Sequence, residues 1–496
     1  MRNEFYDKKV VVMGLGLHGG GLSVAKWFFS QGSHVVVTDL KTNKDLETSV
    51  KALTQFCARY RLSHSTQRLH SIEYALGGHR DQDFIDADLI VQNPDVRSIS
   101  PYLELARENA IPIENEASLF FLMTKGTPKI GITGTKGKSI TASLLYHIAR
   151  AHDLKTTIAG NIRTIALFDI IDDIIRREEK EDFHPVILEL SSWQLELLEN
   201  KRLSPNIAIV TNVLEDHLNR YEGMEDYGRA KQHVYKHQTE NNYVILNFDN
   251  DITRDWGNKG TPGGLIWFSR ERKNMGDGVF VRDAGTGEKE VAFRKGEDIE
   301  TVCFVSDLAL PGVHNIYNSL GAIAAAKILG ISNESIRDSL RTFHGVSDRL
   351  EKITFIKGRS IYNDTTATTP DATLAALRTL SPRNAKNIVL IAGGADKKLD
   401  YHGLAPVINK VVHSIVLLSG TATPKLGSEL NAIRYKGKVE MANSMNEAVG
   451  KAWRHTREGD IMLLSPGAAS FGMFLHEFDR GDKFREAITH LQDEIQ

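Results

Sequence analysis

Short apolar runs alternate along this chain with stretches in which apolar residues return every third or fourth position. That is the pattern of buried parallel strands joined by amphipathic helices. The runs fall at residues 10–13, 34–38, 87–91, 129–133, 186–190, 206–210 and 243–247, and again at 360–363, 387–392, 414–418 and 460–464. Each is predicted as a strand. Behind residues 129–133, Ile140, Leu144, Leu145 and Ile148 keep helical spacing. Residues 158–162 read as a strand entering a turn, 169–182 as a charged helix, and 310–326 as the opening of a small-residue helix that Gly330 caps. Residues 253–300, rich in Gly, Lys and Asp, read as a peripheral hairpin region. The alternation predicts an α/β protein whose chemistry gathers at the C-terminal ends of its strands.

The most informative strand end is Gly134-Thr135-Lys136-Gly137-Lys138-Ser139, between the 129–133 strand and the helix behind it. A glycine turn at a helix start can offer backbone N–H groups to phosphate oxygens, a lysine neutralises β/γ charge, and a serine hydroxyl can ligate Mg²⁺. The predicted ligand is a nucleoside triphosphate. The usual G-x-x-x-x-G-K-[ST] register would place a glycine at Ile132, so the match is imperfect, and a plain glycine turn is the alternative.

Other strand ends carry polar residues of the same kind. Glu189 closes an otherwise apolar strand, where a carboxylate can hold a metal ion against phosphates or be a solvated strand end. His217, after the 206–210 strand, is a second candidate ligand or an ordinary hydrogen-bonded histidine. Lys231, predicted to face the same crevice, would be repelled by metal ions, so it is either solvated or modified to reverse its charge. Asn315 and Asn318 lie one turn apart, suited to a base or, for Asn315, to helix capping.

The first strand runs into Gly14-Leu15-Gly16-Leu17-His18-Gly19-Gly20-Gly21, and the second ends at Asp39, where a carboxylate often meets a ribose. This Rossmann-like opening alone would also suit NAD, and the first domain is expected to close near Glu116. In the last third the strand-end loops are 363–370, 393–400 and 465–471, whose hydroxyls and cation suit a small carboxylate-bearing substrate.

Composition narrows the partners. A 496-residue chain that is 41% hydrophobic and 25% charged is globular, about three domains long. A net charge of -2 gives no general attraction to nucleic acid or anionic membrane, so anion binding must be local. Cys57 and Cys303 fit no metal spacing and read as core thiols of a reducing compartment. The start lacks the apolar core of a signal peptide and no run spans a membrane, so a cytoplasmic protein is expected.

Taken together these stretches resemble the Mur ligases, and among them the branch that joins glutamate to UDP-N-acetylmuramoyl-L-alanine. The family's central loop reads Gly-Thr-x-Gly-Lys-[Ser/Thr], matched by residues 134–139, which accounts for the shifted register. Glu-Leu-Ser-Ser-Trp-Gln-Leu-Glu at 189–196, Asn-Asp-x-x-Ala-Thr at 363–368 and Phe-Asp-Arg-Gly at 478–481 look like the glutamate-adding branch. The resemblance covers nearly the whole chain apart from segments near 165–185 and 253–300.

The resemblance implies three domains: a Rossmann-like domain over residues 1–116 for the UDP portion, a central P-loop-type ATP-binding domain over 117–346 with a mainly parallel sheet, and a C-terminal Rossmann-like domain over 347–496 for the amino acid. Gly14, Leu15, Gly16, Leu17, His18, Asp39 and Asn161 would contact the UDP substrate. Gly134, Thr135, Lys136, Gly137, Lys138, Ser139, Asn315, Asn318, Arg349 and Asp364 would contact ATP, and Thr368, Lys397, Ser470 and Phe471 the amino acid. Ser139, Glu189 and His217 would hold two Mg²⁺ ions with Lys231, the lysine this family carbamylates; Lys138, Glu189, His217 and Lys231 would form the catalytic set. A monomer working on ATP, the UDP-muramoyl substrate and glutamate is expected. Asp348 stands where the family usually has His, Thr366 where many members have Lys, and the aromatic near Phe478 is displaced by one residue. The same ligation with L-glutamate or another amino acid is therefore an alternative. An NAD-dependent oxidoreductase and a non-catalytic nucleotide-binding regulator are more distant ones.

Overall fold

In this computed structural model the described residues are 4–17, 19–63, 71–97, 99–161, 165–216, 220–271, 275–285, 287–381, 383–397 and 399–495. His18 and His217 lie outside them. The apolar runs become the strands of three sheets. The first contains β1 (Lys9–Met13), β2 (His34–Asp39), β3 (Ile72–Leu76), β4 (Leu89–Gln92) and β5 (Ile113–Glu114), all parallel, in the order β3-β2-β1-β4-β5. The chain winds outward one way from β1 and then returns to place β4 on its other side. A crevice opens where the winding reverses, beyond the ends of β1 and β4.

The second sheet contains β6 (Lys129–Thr133), β7 (Thr157–Gly160), β8 (Val186–Glu189), β9 (Ile207–Val210), β10 (Tyr243–Asn247), β11 (Gly264–Ser269), β12 (Gly278–Asp283), β13 (Lys289–Lys295) and β14 (Asp298–Phe304). Its order is β14-β13-β12-β11-β10-β9-β6-β8-β7, so the reversal falls between β6 and β9. The 253–300 segment carries the expected peripheral hairpins, β12–β13 and β13–β14 at the sheet's outer edge, and more besides. It begins with a helix, Asp251–Asn258, and its strands extend the central sheet: β11 and β12 join in parallel and β13 and β14 antiparallel. Its apolar residues Ile266, Phe268, Val279 and Phe280 are buried there, which explains why the segment joins the core.

One buried core lies under both sheets. The predicted charged helix is Leu167–Glu178, whose Leu167, Phe168, Ile171, Ile174 and Ile175 are buried. It packs on the Gly20–Ser30 helix through Trp27 and Phe168, rings edge to face at 5.3 Å, while Trp27 Nε1 donates to Asp172 Oδ1 at 3.0 Å.

The third sheet contains β15 (Glu351–Ile356), β16 (Arg359–Asn363), β17 (Ile388–Gly393), β18 (Val412–Leu418), β19 (Lys438–Ala442) and β20 (Ile461–Leu464), in the order β15-β16-β20-β17-β18-β19. Only the β15–β16 pairing is antiparallel. The first two sheets belong to one compact unit, to Ala309 and again over Val313–Thr342; the third makes up a second, over Leu310–Gly312 and from Phe343 onward. Among the described residues no helix is long and apolar enough to cross a membrane. Cys57 and Cys303 are free, buried thiols, and burial pushes Cys57 up to about 11.

Candidate active site

At the reversal of the central sheet, β6 ends beside β8 on one flank and β9 on the other, with Ile132 opposite Glu189 and Thr133 opposite Val210. The loop that leaves β6 is pressed against its neighbours. Gly134 has φ 142, and a Cβ there would lie 1.9 Å from Thr211 Oγ1; Gly137 has φ 89, and a Cβ there would lie 2.1 Å from Asn318 Oδ1. Glycine is needed at both for conformation and for space. The first helical bond, Thr141 N to the Gly137 carbonyl at 2.9 Å, leaves the amides of Lys138, Ser139 and Ile140 outside the helix's own ladder. The cradle differs from the sequence expectation in one respect. Thr135 N donates to the Asn212 carbonyl at 2.9 Å and Lys136 N to Asn212 Oδ1 at 3.0 Å, so those two amides fix the loop. Anion-binding capacity is shifted to the helix start.

Lys138 Nζ folds back over the loop, donating to the carbonyls of Gly134 at 2.9 Å and Thr135 at 3.2 Å. Ser139 is buried in the first turn of the Lys138–Ala151 helix. Glu189 is 1% exposed, and its carbonyl accepts from Asn161 N at 2.9 Å, which places Asn161 just past β7 beside it. Asn315 and Asn318 also gather here. Asn318 Nδ2 donates to Asn315 Oδ1 at 3.1 Å, and because the helix has already begun at Val313, Asn315 is not its cap.

Lys231 completes the group from the Met224–Gln232 helix. It is 2% exposed, with Nζ 4.4 Å above the Tyr227 ring, whose hydroxyl lies 3.2 Å from Thr135 Oγ1. Burial brings its ammonium down to about 6; Lys138 repels it further, Asp216 opposes the shift, and Lys136, which pairs with Asp216 at 3.3 Å, adds a smaller repulsion. The lysine is therefore a neutral amine at pH 7. Among the described residues no three His, Cys, Asp or Glu side chains cluster to hold a metal ion.

A second cluster forms at the reversal of the first sheet. Gly14 (φ 94) and Gly16 (φ 63) carry the turn after β1, and Asn93 Nδ2 donates to the Gly14 carbonyl at 3.2 Å. Asp39 accepts from Gly16 N at 3.3 Å and Lys41 N at 2.9 Å, so its carboxylate holds the turn in shape. Leu15 is fully buried, which leaves its backbone as the part a ligand could meet.

In the other unit the loops after β16, β17 and β20 converge as expected. Ala395 and Ala469 exchange backbone bonds at 2.8 and 3.1 Å, Gly467 N donates to the Ala367 carbonyl at 2.8 Å, and Lys397 Nζ donates to Thr368 Oγ1 at 3.1 Å. Ser470 is buried and Phe471 is 56% exposed. Asp364 uses both oxygens inside this unit, accepting from Leu350 N at 3.0 Å and Ser465 Oγ at 2.8 Å; burial raises its carboxyl to about 7. Arg349 is exposed. The two departures Asp348 and Thr366 touch each other. Thr366 Oγ1 donates to the Asp348 carbonyl at 2.9 Å, and Arg485 closes on Asp348 Oδ1 at 2.8 Å.

Sequence reasoning gave no role to two arginines, although the Phe-Asp-Arg-Gly motif at 478–481 contains one of them. Arg480 is fully buried and ties two of these loops together, donating from Nε to Thr365 Oγ1 at 3.0 Å, from Nη2 to the Thr365 carbonyl at 2.7 Å and from Nη1 to the Ala468 carbonyl at 3.1 Å. Arg220 joins the turn after β4 to the central domain, reaching the carbonyls of Pro94 at 2.9 Å and Asp95 at 3.2 Å and Glu196 Oε2 at 3.0 Å, with its guanidinium 4.6 Å above Trp193. For Arg480 the signal was the 478–481 motif, while Arg220, in a stretch rich in charge, carried none.

Comparison with known proteins agrees with this geometry. Three family descriptions match the chain: "Mur ligase MurD-like, N-terminal domain" over residues 8–115, "Mur ligase middle domain" over 132–326, and "Mur ligase, glutamate ligase domain" over 348–467. The UDP-N-acetylmuramoylalanine–D-glutamate ligase of Roseiflexus sp. (strain RS-1) is 39% identical, covering 98% of this chain and 99% of its own length. The protein of the same name from Acetivibrio thermocellus is 32% identical, covering 99% and 98%. Among solved structures, UDP-N-acetylmuramate-alanine ligase MurC from Thermotoga maritima matches with a TM-score of 0.62 at 19% identity, covering 97% of this chain and 99% of that one. MurF ligase from Thermotoga maritima in complex with ADP matches at 0.55 and 16% identity, covering 100% and 97%. The chain belongs to the Mur ligase family.

Proposed function

We propose that the chain is an ATP-dependent ligase that adds D-glutamate to UDP-N-acetylmuramoyl-L-alanine through an acyl phosphate, a step in peptidoglycan precursor synthesis. One observation carries this reading: left-handed Gly137 opens the Lys138–Ala151 helix next to buried Glu189 and neutral, buried Lys231. The full-length relatives named D-glutamate ligases support the choice of acceptor and amino acid, and the ADP complex of the MurF relative supports the nucleotide.

Residues 117–346 would bind ATP, with the first-turn amides and Lys138 around the β/γ-phosphates and Asn315 and Asn318 toward the base. The buried Glu189 carboxylate and the Ser139 hydroxyl are oxygen donors that fit Mg²⁺, which takes few protein ligands and leaves the rest to phosphate and water. Ser139 and Glu189, with His217 and a modified Lys231, would hold it, and the bound metal supplies charge neutralisation for phosphoryl transfer. Lys231 fits the modification. Its neutral nitrogen adds to the carbon of CO₂, one carbon–oxygen π bond becomes a C–O⁻, and the N–H proton leaves to solvent. The carbamate anion then faces Lys138 attractively where the ammonium was repelled.

Residues 1–116 would hold the UDP portion through the Gly14–Leu17 turn, Asp39 and, from the next domain, Asn161. The alanine carboxylate attacks the γ-phosphorus and ADP leaves, giving the acyl phosphate. The glutamate amine adds to the acyl carbon, and the tetrahedral adduct expels phosphate and loses a proton. No protein nucleophile is required, because the work is positioning and electrostatic stabilisation. Residues 347–496 would present glutamate, with Lys397, Thr368 and Ser470 on its carboxylates. Lys138→Ala and Glu189→Ala are each expected to abolish acceptor-dependent phosphate release; turnover retained in either overturns this site.

A further inference from the structure

The crevice where the first sheet reverses is lined by Gly14, Gly20, Gly21, Gln92, Asn93 and Glu116. Two buried polar atoms there, Gln92 Oε1 and Glu116 Oε2, have no hydrogen-bond partner among the described residues, although Gln92 is 2% and Glu116 8% exposed. A native fold leaves few such groups, and those it leaves call for a ligand or a water. Glu116 Oε1 is engaged, accepting from Gln194 Nε2 at 2.6 Å. Its other oxygen is turned toward the first residue of the Gly20–Ser30 helix: a Cβ on Gly20 would sit 3.2 Å from Oε2. That helix makes its first bond from Ser23 N to the Gly19 carbonyl at 2.8 Å, leaving the amides of Gly20, Gly21 and Leu22 outside its ladder. Helix amides of this kind attract a phosphate, whereas an ionised carboxylate among them repels it.

We propose that Glu116 engages the diphosphate of the nucleotide-sugar as a neutral acid, its Oε2 carrying a proton that it donates to a phosphate oxygen seated at the start of the Gly20–Ser30 helix. Binding then draws a proton from solvent onto whatever fraction of this carboxylate is ionised in the free protein. Gln92 Oε1 offers an acceptor beside it for a hydroxyl of the same ligand. The proposal rests on the reading of residues 1–116 as the UDP-binding domain.

The surroundings favour this proton. Burial raises the Glu116 carboxyl to about 7; the Gln194 hydrogen bond opposes the shift and Asp169 on the Leu167–Glu178 helix adds to it. From the Gly20–Ser30 helix the nearest charge is Lys26, which acts on Asp169. Gln194 faces Glu116 from the Ser192–Asn200 helix, and Gln92 and Asn93 from the end of β4, all uncharged.

The test is isothermal titration calorimetry of the full chain with UDP-N-acetylmuramoyl-L-alanine, whose diphosphate and carboxylate stay ionised from pH 6 to 8, in buffers of unlike ionisation enthalpy. The expected result is little proton uptake at pH 6, roughly half a proton at pH 7 and close to one at pH 8, with affinity falling about fivefold between pH 7 and 8. Glu116→Gln should abolish the uptake, flatten the pH dependence and bind more tightly than the natural chain at pH 8, with a melting temperature no lower than the natural chain's as the check on folding. Absence of uptake at pH 8, or uptake that persists in E116Q, overturns the proposal. So does an E116Q variant weakened equally at every pH, the outcome if the carboxyl holds an ordered water only. Failure of the natural chain to bind this ligand at any pH sinks the UDP-domain reading itself.

Discussion

Replacing Gly137 by alanine tests how far the phosphate loop depends on its contact with the Val313–Ile328 helix. The native φ of 89 lies in the left-handed region, which costs an L-residue about 1–2 kcal/mol. The added Cβ would stand 2.1 Å from Asn318 Oδ1, where ordinary contact begins at 3.4 Å, so the loop or the amide must retreat by about 1.3 Å. Asn318 cannot give way freely, because its Nδ2 is bonded to Asn315 and its carbonyl accepts from Thr141 Oγ1 at 3.4 Å. Crowding of this kind adds about 1–3 kcal/mol of destabilisation. A misplacement of about 1 Å at a phosphoryl-transfer site costs roughly a hundredfold in rate. The assay is acceptor-dependent phosphate release with varied ATP, alongside a thermal melt. The expected result is a kcat/KM for ATP at least about a hundredfold lower in Gly137→Ala, with a folded protein. The control is Gly427→Ala, where nothing lies within 4 Å of the new Cβ, and its kinetics should be unchanged. A Gly137→Ala enzyme within twofold of the natural chain would refute the reasoning.

Lys231 should give a carbonyl signal in carbon NMR when the protein is equilibrated with ¹³C-bicarbonate at pH 7–8; the signal should fade as the pH falls through about 6, where the amine takes up a proton, and be absent from Lys231→Arg. Arg480→Leu, which leaves the buried Thr365 and Ala468 carbonyls without this donor, should cost about 1–3 kcal/mol of stability in the second unit for each group left unsatisfied. It should also raise KM for glutamate more than KM for ATP; equal changes would argue against a positioning role. Asp364 has its carboxyl raised to about 7, above the unfolded value of about 3.9, so the folded state holds this proton more tightly and stability from this group falls as pH rises between those values. Asp364→Asn should therefore reduce the loss in melting temperature between pH 5 and 8, and a loss as steep as in the natural chain would contradict that assignment.

Much of this was legible because strands buried on both faces must be apolar throughout, and because phosphate chemistry needs Gly, Lys and Ser side by side. Residues 129–148 gave strand, turn and helix in the right order, the run at 10–13 became β1 of the first sheet, and the runs at 186–190 and 206–210 became β8 and β9, which flank β6 in the second. The hairpins of the 253–300 segment were read, but not its helix or the parallel joining of β11 and β12, by which buried Ile266, Phe268, Val279 and Phe280 dock it onto the central sheet. The amides of Thr135 and Lys136 could not be assigned from sequence, since their partner Asn212 is 76 or more residues away. The roles of Glu116, Arg220 and Arg480 were missed for a related reason, although Arg480 lies in the 478–481 motif. Their importance lies in burial and in distant carbonyls or amides, and nothing local to each residue records that.

The central claim is tested most directly by incubating the purified protein with ATP, Mg²⁺ and UDP-N-acetylmuramoyl-L-alanine, with D-glutamate or L-glutamate supplied separately, and identifying the product by mass and stereochemistry. The expected result is one amide-linked D-glutamate per acceptor, with ADP and phosphate released in equal amounts and no product from L-glutamate. A product with L-glutamate or another amino acid, or ATP consumed without amide formation, would contradict it.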